Sequence, residues 1–119
     1  MVSGISAQHT LTVNFEGMAS DKGKVLVKVV NKDNEKVSGH ELKVQDQKAT
    51  LKLELPAGRY AFSAFHDAND NKKLDTNWMG IPNEKYGFSN NARGTFGPPS
   101  LEDQLVEIQS DKTISITLK

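Results

Sequence analysis

Apolar and polar residues alternate one for one along several stretches of this chain, and few architectures accommodate that pattern. Leu11, Val13 and Phe15 are separated by Thr12 and Asn14. Leu51, Leu53 and Leu55 are separated by Lys52 and Glu54, and Ile114, Ile116 and Leu118 by Ser115 and Thr117. A side-chain period of two sends successive residues to opposite faces of a strand, so each stretch reads as a half-buried strand of an antiparallel sheet. Residues 25–30 are rich in β-branched side chains and read as a more central strand. Residues 60–65 carry apolar groups on both alternating faces, Tyr60, Phe62 and Ala64 against Ala61 and Phe65, as a strand covered on both sides would. Residues 41–44 and 103–109 are shorter candidates. Turn chemistry separates these runs, notably Asp21-Lys22-Gly23, Asn31 to Glu35, Gln45-Asp46-Gln47, Pro56-Ala57-Gly58 and Ser110-Asp111-Lys112. About seven short strands at this spacing predict an all-β antiparallel sandwich with Greek-key-like connections.

A chain of 119 residues is expected to form one domain. The reading divides it into an N-terminal tail over residues 1–8 and a single sandwich domain over residues 9–119. The absence of cysteine excludes disulfides, thiolate metal sites and thiol nucleophiles. Fifteen basic and fifteen acidic residues cancel, which removes the electrostatic footprint of a non-specific nucleic-acid binder. No apolar run approaches the ~20 residues of a transmembrane helix. Residues 1–8 lack the basic and apolar regions of a signal peptide and read either as a native start or as the remnant of one.

The alternation stops over residues 67–102. Irregular loops beyond about 15 residues are uncommon in compact domains unless they are functional or disordered. This segment holds Trp78, Tyr86, Phe88 and Phe96, half of the eight aromatic residues in the chain, with Leu74, Met79, Ile81 and Leu101. Disordered segments are poor in such residues, so the expectation is one long ordered loop carrying the function.

Within it, oxygen-bearing side chains recur at Asp67, Asn69, Asn71 and Asp75, with the carbonyl of Lys73 between the last two. Alternate oxygen ligands in one tight loop are a calcium pattern. Lys72 stands where an EF-hand loop has glycine, and Trp78 where it has its bidentate glutamate. The competing reading is an Asx-rich turn whose side chains bond their own backbone. His66, at the end of a strand, is a candidate base for a small hydrolase with Asp67, Asp75 or Glu84, although no nucleophile elbow surrounds any nearby serine. The three histidines are too dispersed for a zinc site. Trp78, Tyr86, Phe88 and Phe96 form either a stacking platform for a sugar or peptide, or the miniature core of the loop itself.

Leu55-Pro56-Ala57-Gly58-Arg59-Tyr60, His66-Asp67, Leu74-Asp75-Thr76-Asn77, Gly80-Ile81-Pro82-Asn83-Glu84, the run Tyr86 to Asn91 and Phe96-Gly97-Pro98-Pro99-Ser100 resemble the bacterial family known as domain of unknown function 2141. The resemblance covers nearly the whole chain. It implies a periplasmic or secreted protein whose sandwich is similar to transthyretin-like or carboxypeptidase-regulatory-like domains. It carries no established activity, so no catalytic role transfers to any residue. The chain departs from the family pattern at Lys72, where glycine is common, and at Leu101 and Gln104.

The resulting expectation is a non-enzymatic, extracytoplasmic binding or accessory module. Its loop is ordered by calcium, its ligand surface includes His66, Trp78, Glu84, Tyr86, Phe88 and Phe96, and its partner is a protein, peptide or glycan. A hydrolase centred on His66, or an assembly protein that pairs through a sheet edge, are the alternatives.

Overall fold

The computed structural model describes residues 8–18, 20–67, 85–93 and 99–119. Among these residues, eight strands form two sheets that enclose one core. The smaller sheet is built on β1 (Gln8–Glu16), with β4 (Lys48–Pro56) on one side and β8 (Lys112–Thr117) on the other. β1 and β4 run antiparallel and place Leu11 opposite Leu53, Val13 opposite Leu51 and Phe15 opposite Ala49. The predicted alternation is therefore met face to face: Leu11, Val13 and Phe15 are buried, while Asn14 and Glu16 are exposed. β8 lies parallel to β1, with Val13 opposite Ile114 and Phe15 opposite Ile116. This departs from the all-antiparallel expectation. A parallel neighbour needs a long crossover, and here the whole of the other sheet lies between the two strands in sequence.

The larger sheet has the order β3 (Lys36–Lys43), β2 (Lys24–Asn31), β5 (Gly58–Asp67). Two short strands share the far edge of β5. β6 (Tyr86–Phe88) pairs with residues 63–65 and β7 (Val106–Ile108) with residues 58–60. The β-branched run over 25–30 is thus central, as expected; β5 has neighbours along both edges, but its outer face is not covered as the sequence suggested, since Ser63 and Phe65 stay partly exposed. Val25, Val27 and Val29 face inward beside Phe62, Ala64 and Tyr60 and join Leu11, Val13, Phe15, Leu51, Leu55, Ile108, Ile116 and Leu118 in the core. The turn between β3 and β4 carries Asp46 and Gln47 at φ 53° and 61°, inside the Gln45–Lys48 bridge, and hands the chain from one sheet to the other.

Three elements differ from the sequence expectation. Residues 86–88, assigned to the long loop, form a strand. Residues 101–104 form a helical turn, α1 (Leu101–Gln104), where the 103–109 strand was expected to begin, so that strand shrinks to β7. The hydroxyl of Ser100 accepts from the Asp103 N–H at 3.3 Å, and Glu102 and Asp103 occupy the first turn, a favourable helix start. β3 is also longer than residues 41–44, because an edge strand needs little apolar patterning to pair.

Between β6 and β7 the edge of β5 is unpaired at Phe62. The hydroxyl of Ser89 fills that gap: it accepts from the Phe62 N–H at 3.0 Å and donates to the carbonyl of Gln104. Ser89 has no exposed surface. It lies in a short 3-10 turn (Ser89–Asn91) that is tied to β8 through Asn91 Oδ1, which accepts from the Thr117 N–H at 2.9 Å. Asn90 donates to the carbonyls of Asp103 and Leu105. β6 itself is locked to the C-terminal residues by paired backbone bonds between Tyr86 and Lys119.

Two predictions follow from these contacts. Ser89→Ala leaves a buried N–H and a buried carbonyl without their partner and is expected to lower unfolding free energy by about 1–3 kcal/mol in urea titrations. An unchanged midpoint would show that the hydroxyl is dispensable. Tyr60 is buried and its hydroxyl donates to the Pro56 carbonyl at 2.8 Å; burial raises its pKa above the ordinary value. The folded state thus favours the neutral phenol. That contribution is complete below about pH 10, the unfolded value, and is lost as pH rises through the higher folded value. Absorbance titration should show a delayed phenolate step that disappears in Tyr60→Phe. Identical curves for the two proteins would contradict this.

Candidate functional site

Register decides what lies on the outer face of the five-stranded sheet. Glu41, Leu26, Phe65 and Tyr86 fall in one cross-strand row, and Gly39, Lys28, Ser63 and Phe88 in the next. Leu26, Phe65, Tyr86 and Phe88 are each only partly covered. The rings of Tyr86 and Phe88, two residues apart on β6, meet edge to face with centroids 5.8 Å apart. The Arg93 guanidinium stands 5.2 Å from the Tyr86 ring centre. Leu26, Phe65, Tyr86 and Phe88 line a hollow of about 300 Å³ with Lys28 and Ser63 at its border. The same face continues toward β3 past Lys36, Gly39 and Glu41, and toward α1 past Val30, Pro99 and Leu101.

The β6 aromatics hold this position because β6 is fixed from two directions. Gly87 faces the other sheet, where a Cβ would lie 2.8 Å from the Thr117 carbonyl oxygen and 3.0 Å from a Leu118 methyl. Only glycine permits that approach, and with Gly87 turned inward, Tyr86 and Phe88 must point outward. An apolar hollow with ring faces, a hydroxyl and an ammonium group is suited to binding. Aromatic and aliphatic faces take the C–H faces of a sugar ring or an apolar side chain, and the polar groups orient it.

His66 lies elsewhere. It is on the inner face of β5, opposite Val25, and is 3% exposed. Its Nε2 is 2.6 Å from the carbonyl oxygen of Lys22, and its backbone N–H donates to the Lys85 carbonyl. The accessible base of the hydrolase reading is therefore absent at this position, and His66 does not join Tyr86 and Phe88 on a ligand surface. Asp67, the first of the proposed calcium ligands, is the last residue of β5 and has no exposed surface. Asn69, Asn71, Lys73 and Asp75, together with Trp78, Glu84 and Phe96, lie outside the described residues. Among the described residues, no group of three His, Asp or Glu side chains gathers as a metal site.

Sequence reasoning singled out Tyr86 and Phe88 but missed Leu26, Lys28, Lys36, Ser63 and Phe65 as their neighbours. The available signal was Phe65, which breaks the rule that the second face of a strand is polar. It also missed the contact of Ser38 Oγ with His40 Nε2 at 2.8 Å on the edge strand β3. Among the described residues no third group orients that imidazole, as a nucleophilic pair requires.

No helix among the described residues is long and apolar enough to cross a membrane. No curated protein sequence matches the chain. Solved structures do. A Bacteroides thetaiotaomicron protein of the domain of unknown function 1812 family, provisionally described as polysaccharide-binding, superposes with a TM-score of 0.52 at 16% identity. The match covers 92% of this chain and 46% of that one. A fimbrial assembly protein from Parabacteroides distasonis matches with a TM-score of 0.47 at 9% identity, over 94% of this chain and 51% of that one. The chain thus spans about half the length of these two structures, and the likeness to the first is one of fold. The model of an uncharacterised protein family conserved in bacteria matches residues 13–117, and the chain belongs to that family, domain of unknown function 2141.

Proposed function

We propose that this chain is a non-enzymatic, extracytoplasmic binding module and that it holds a saccharide against the outer face of its larger sheet. One observation carries the reading: Leu26, Phe65, Tyr86 and Phe88 remain partly uncovered side by side on a rigid sheet, with Lys28 and Ser63 among them. Side chains of this kind on adjacent strands form a surface that stacks on sugar rings while the ammonium and hydroxyl groups meet ring hydroxyls. The described polysaccharide-binding role of the Bacteroides protein with the same fold supports the choice of ligand class.

Native electrophoresis through gels containing soluble polysaccharides is the direct test. Retardation by at least one polymer is expected. Tyr86→Ala and Phe88→Ala should each weaken it by about tenfold or more if these rings anchor the ligand. Unretarded migration in every gel, or full retardation of both variants, would remove the reading. Both variants should be checked for an unchanged melt.

We also carry forward calcium as a proposal for the segment that Asp67 begins. Asp67 opens the alternate run of oxygen-bearing residues Asp67, Asn69, Asn71 and Asp75, with the Lys73 carbonyl between the last two, and that spacing supports the reading. Calcium at about a hundred times its dissociation constant adds ~2.7 kcal/mol of stability. The expected result is a melting midpoint raised by several degrees in calcium and not in magnesium, and lost in Asp75→Ala. No shift would assign the Asp/Asn run to turn chemistry.

A further inference from the structure

Resting on the saccharide reading above, we propose that the outer-face groove selects acidic saccharides, polymers whose sugar rings carry carboxylate or sulfate groups. The placement of charge carries this inference. Lys28 borders all three adjoining hollows of the face. In its cross-strand row, Gly39 supplies no side chain, and the space is taken by Lys36, whose Cε and Nζ come within 3.5 and 3.6 Å of where a Cβ on Gly39 would sit. A second ammonium group is thereby folded over β3 into the same row. Arg93 adds a third cation at the Tyr86 ring.

Among the described residues the carboxylate that lines this face is Glu41, and its Oε1 is 3.4 Å from Lys24 Nζ, so its charge is already offset. The ion pairs among the described residues are Lys24–Glu41 and Arg59–Glu102, and neither engages Lys28, Lys36 or Arg93. In a chain whose formal charge is zero, three cations on the same face of one sheet are a matter of placement and not of composition. All three cations are exposed, so their attraction for an anion is open to screening by salt. A neutral sugar satisfies the rings but offers the two ammonium groups only hydroxyls. A sugar acid satisfies both.

The test compares polygalacturonate with its methyl ester, which share a backbone and differ in charge, within a calorimetric panel of acidic (alginate, hyaluronan, chondroitin sulfate) and neutral (dextran, laminarin, xylan) polymers. The acidic form is expected to bind about tenfold more tightly at ~50 mM salt, with the advantage shrinking at ~500 mM. Lys36→Gln should reduce that preference several-fold while leaving affinity for neutral polymers unchanged, and Lys28→Gln should weaken acidic polymers several-fold more than neutral ones. Lys52→Gln, on the outer face of the other sheet, should change neither. Equal binding of acidic and neutral polymers overturns this proposal and leaves the saccharide reading standing. Equal binding of single-stranded polyuridylate overturns it in favour of a general polyanion surface. Silence across the whole panel overturns both readings.

Discussion

The two sheets are joined at one corner by the backbone of the last residues of the chain, and both halves of the structure take their position from that joint. Leu118 donates its N–H to the Glu16 carbonyl at 2.8 Å, and Lys119 and Tyr86 exchange bonds at 2.9 and 3.2 Å. β1, in the smaller sheet, and β6, at the edge of the larger one, are thus bound to successive residues, Leu118 and Lys119. The approach is close enough that glycine is required on each side. A Cβ on Gly17, whose φ is +94°, would run into the carbonyl oxygen of Leu118, and one on Gly87 would crowd Thr117 and Leu118. L-residues rarely adopt the backbone that Gly17 takes here.

That joint also shapes the groove. A three-residue strand makes too few ladder bonds to hold its aromatics against solvent by itself. β6 holds because its inward face is Gly87 against the core and its continuation, Ser89 to Asn91, is bonded to β5, α1 and β8. The outward direction of Tyr86 and Phe88 is therefore inherited from packing on the opposite face of the sheet. The same logic makes the groove rigid before any ligand arrives, which lowers the entropic cost of binding.

The sequence revealed the strands wherever one face is buried, because alternation records burial directly. β1, β4, β8 and the two-faced β5 were all legible for that reason. β3 was not: Lys36-Val37-Ser38-Gly39-His40 is an edge segment, and pairing through the backbone leaves little mark on side-chain choice. Alternation has no direction either, so the parallel sense of β8 was invisible. The groove was only half legible. Tyr86 and Phe88 stood out as aromatics, but Leu26, Lys28 and Phe65 reach them only through strand register, which one sequence does not show. His66 misled because a histidine beside an aspartate resembles a site, whereas its position opposite Val25 buries the ring in the interior.

The parallel pairing of β1 with β8 bears on the order in which the molecule assembles. The Thr10 N–H bonds to Asp111, and the Thr117 hydroxyl to Glu16, each across 101 residues of chain. Closing so long a loop costs entropy before any contact compensates it, and topologies dominated by such contacts fold slowly. The β2–β3 hairpin and the β1–β4 pair close shorter loops, but the smaller sheet stays incomplete until β8 arrives. The core residues Ile116 and Leu118 arrive with it, together with the backbone that orients β6. Formation of the aromatic groove is thereby coupled to the docking of β8, so a chain that presents the groove is one whose two sheets are already joined.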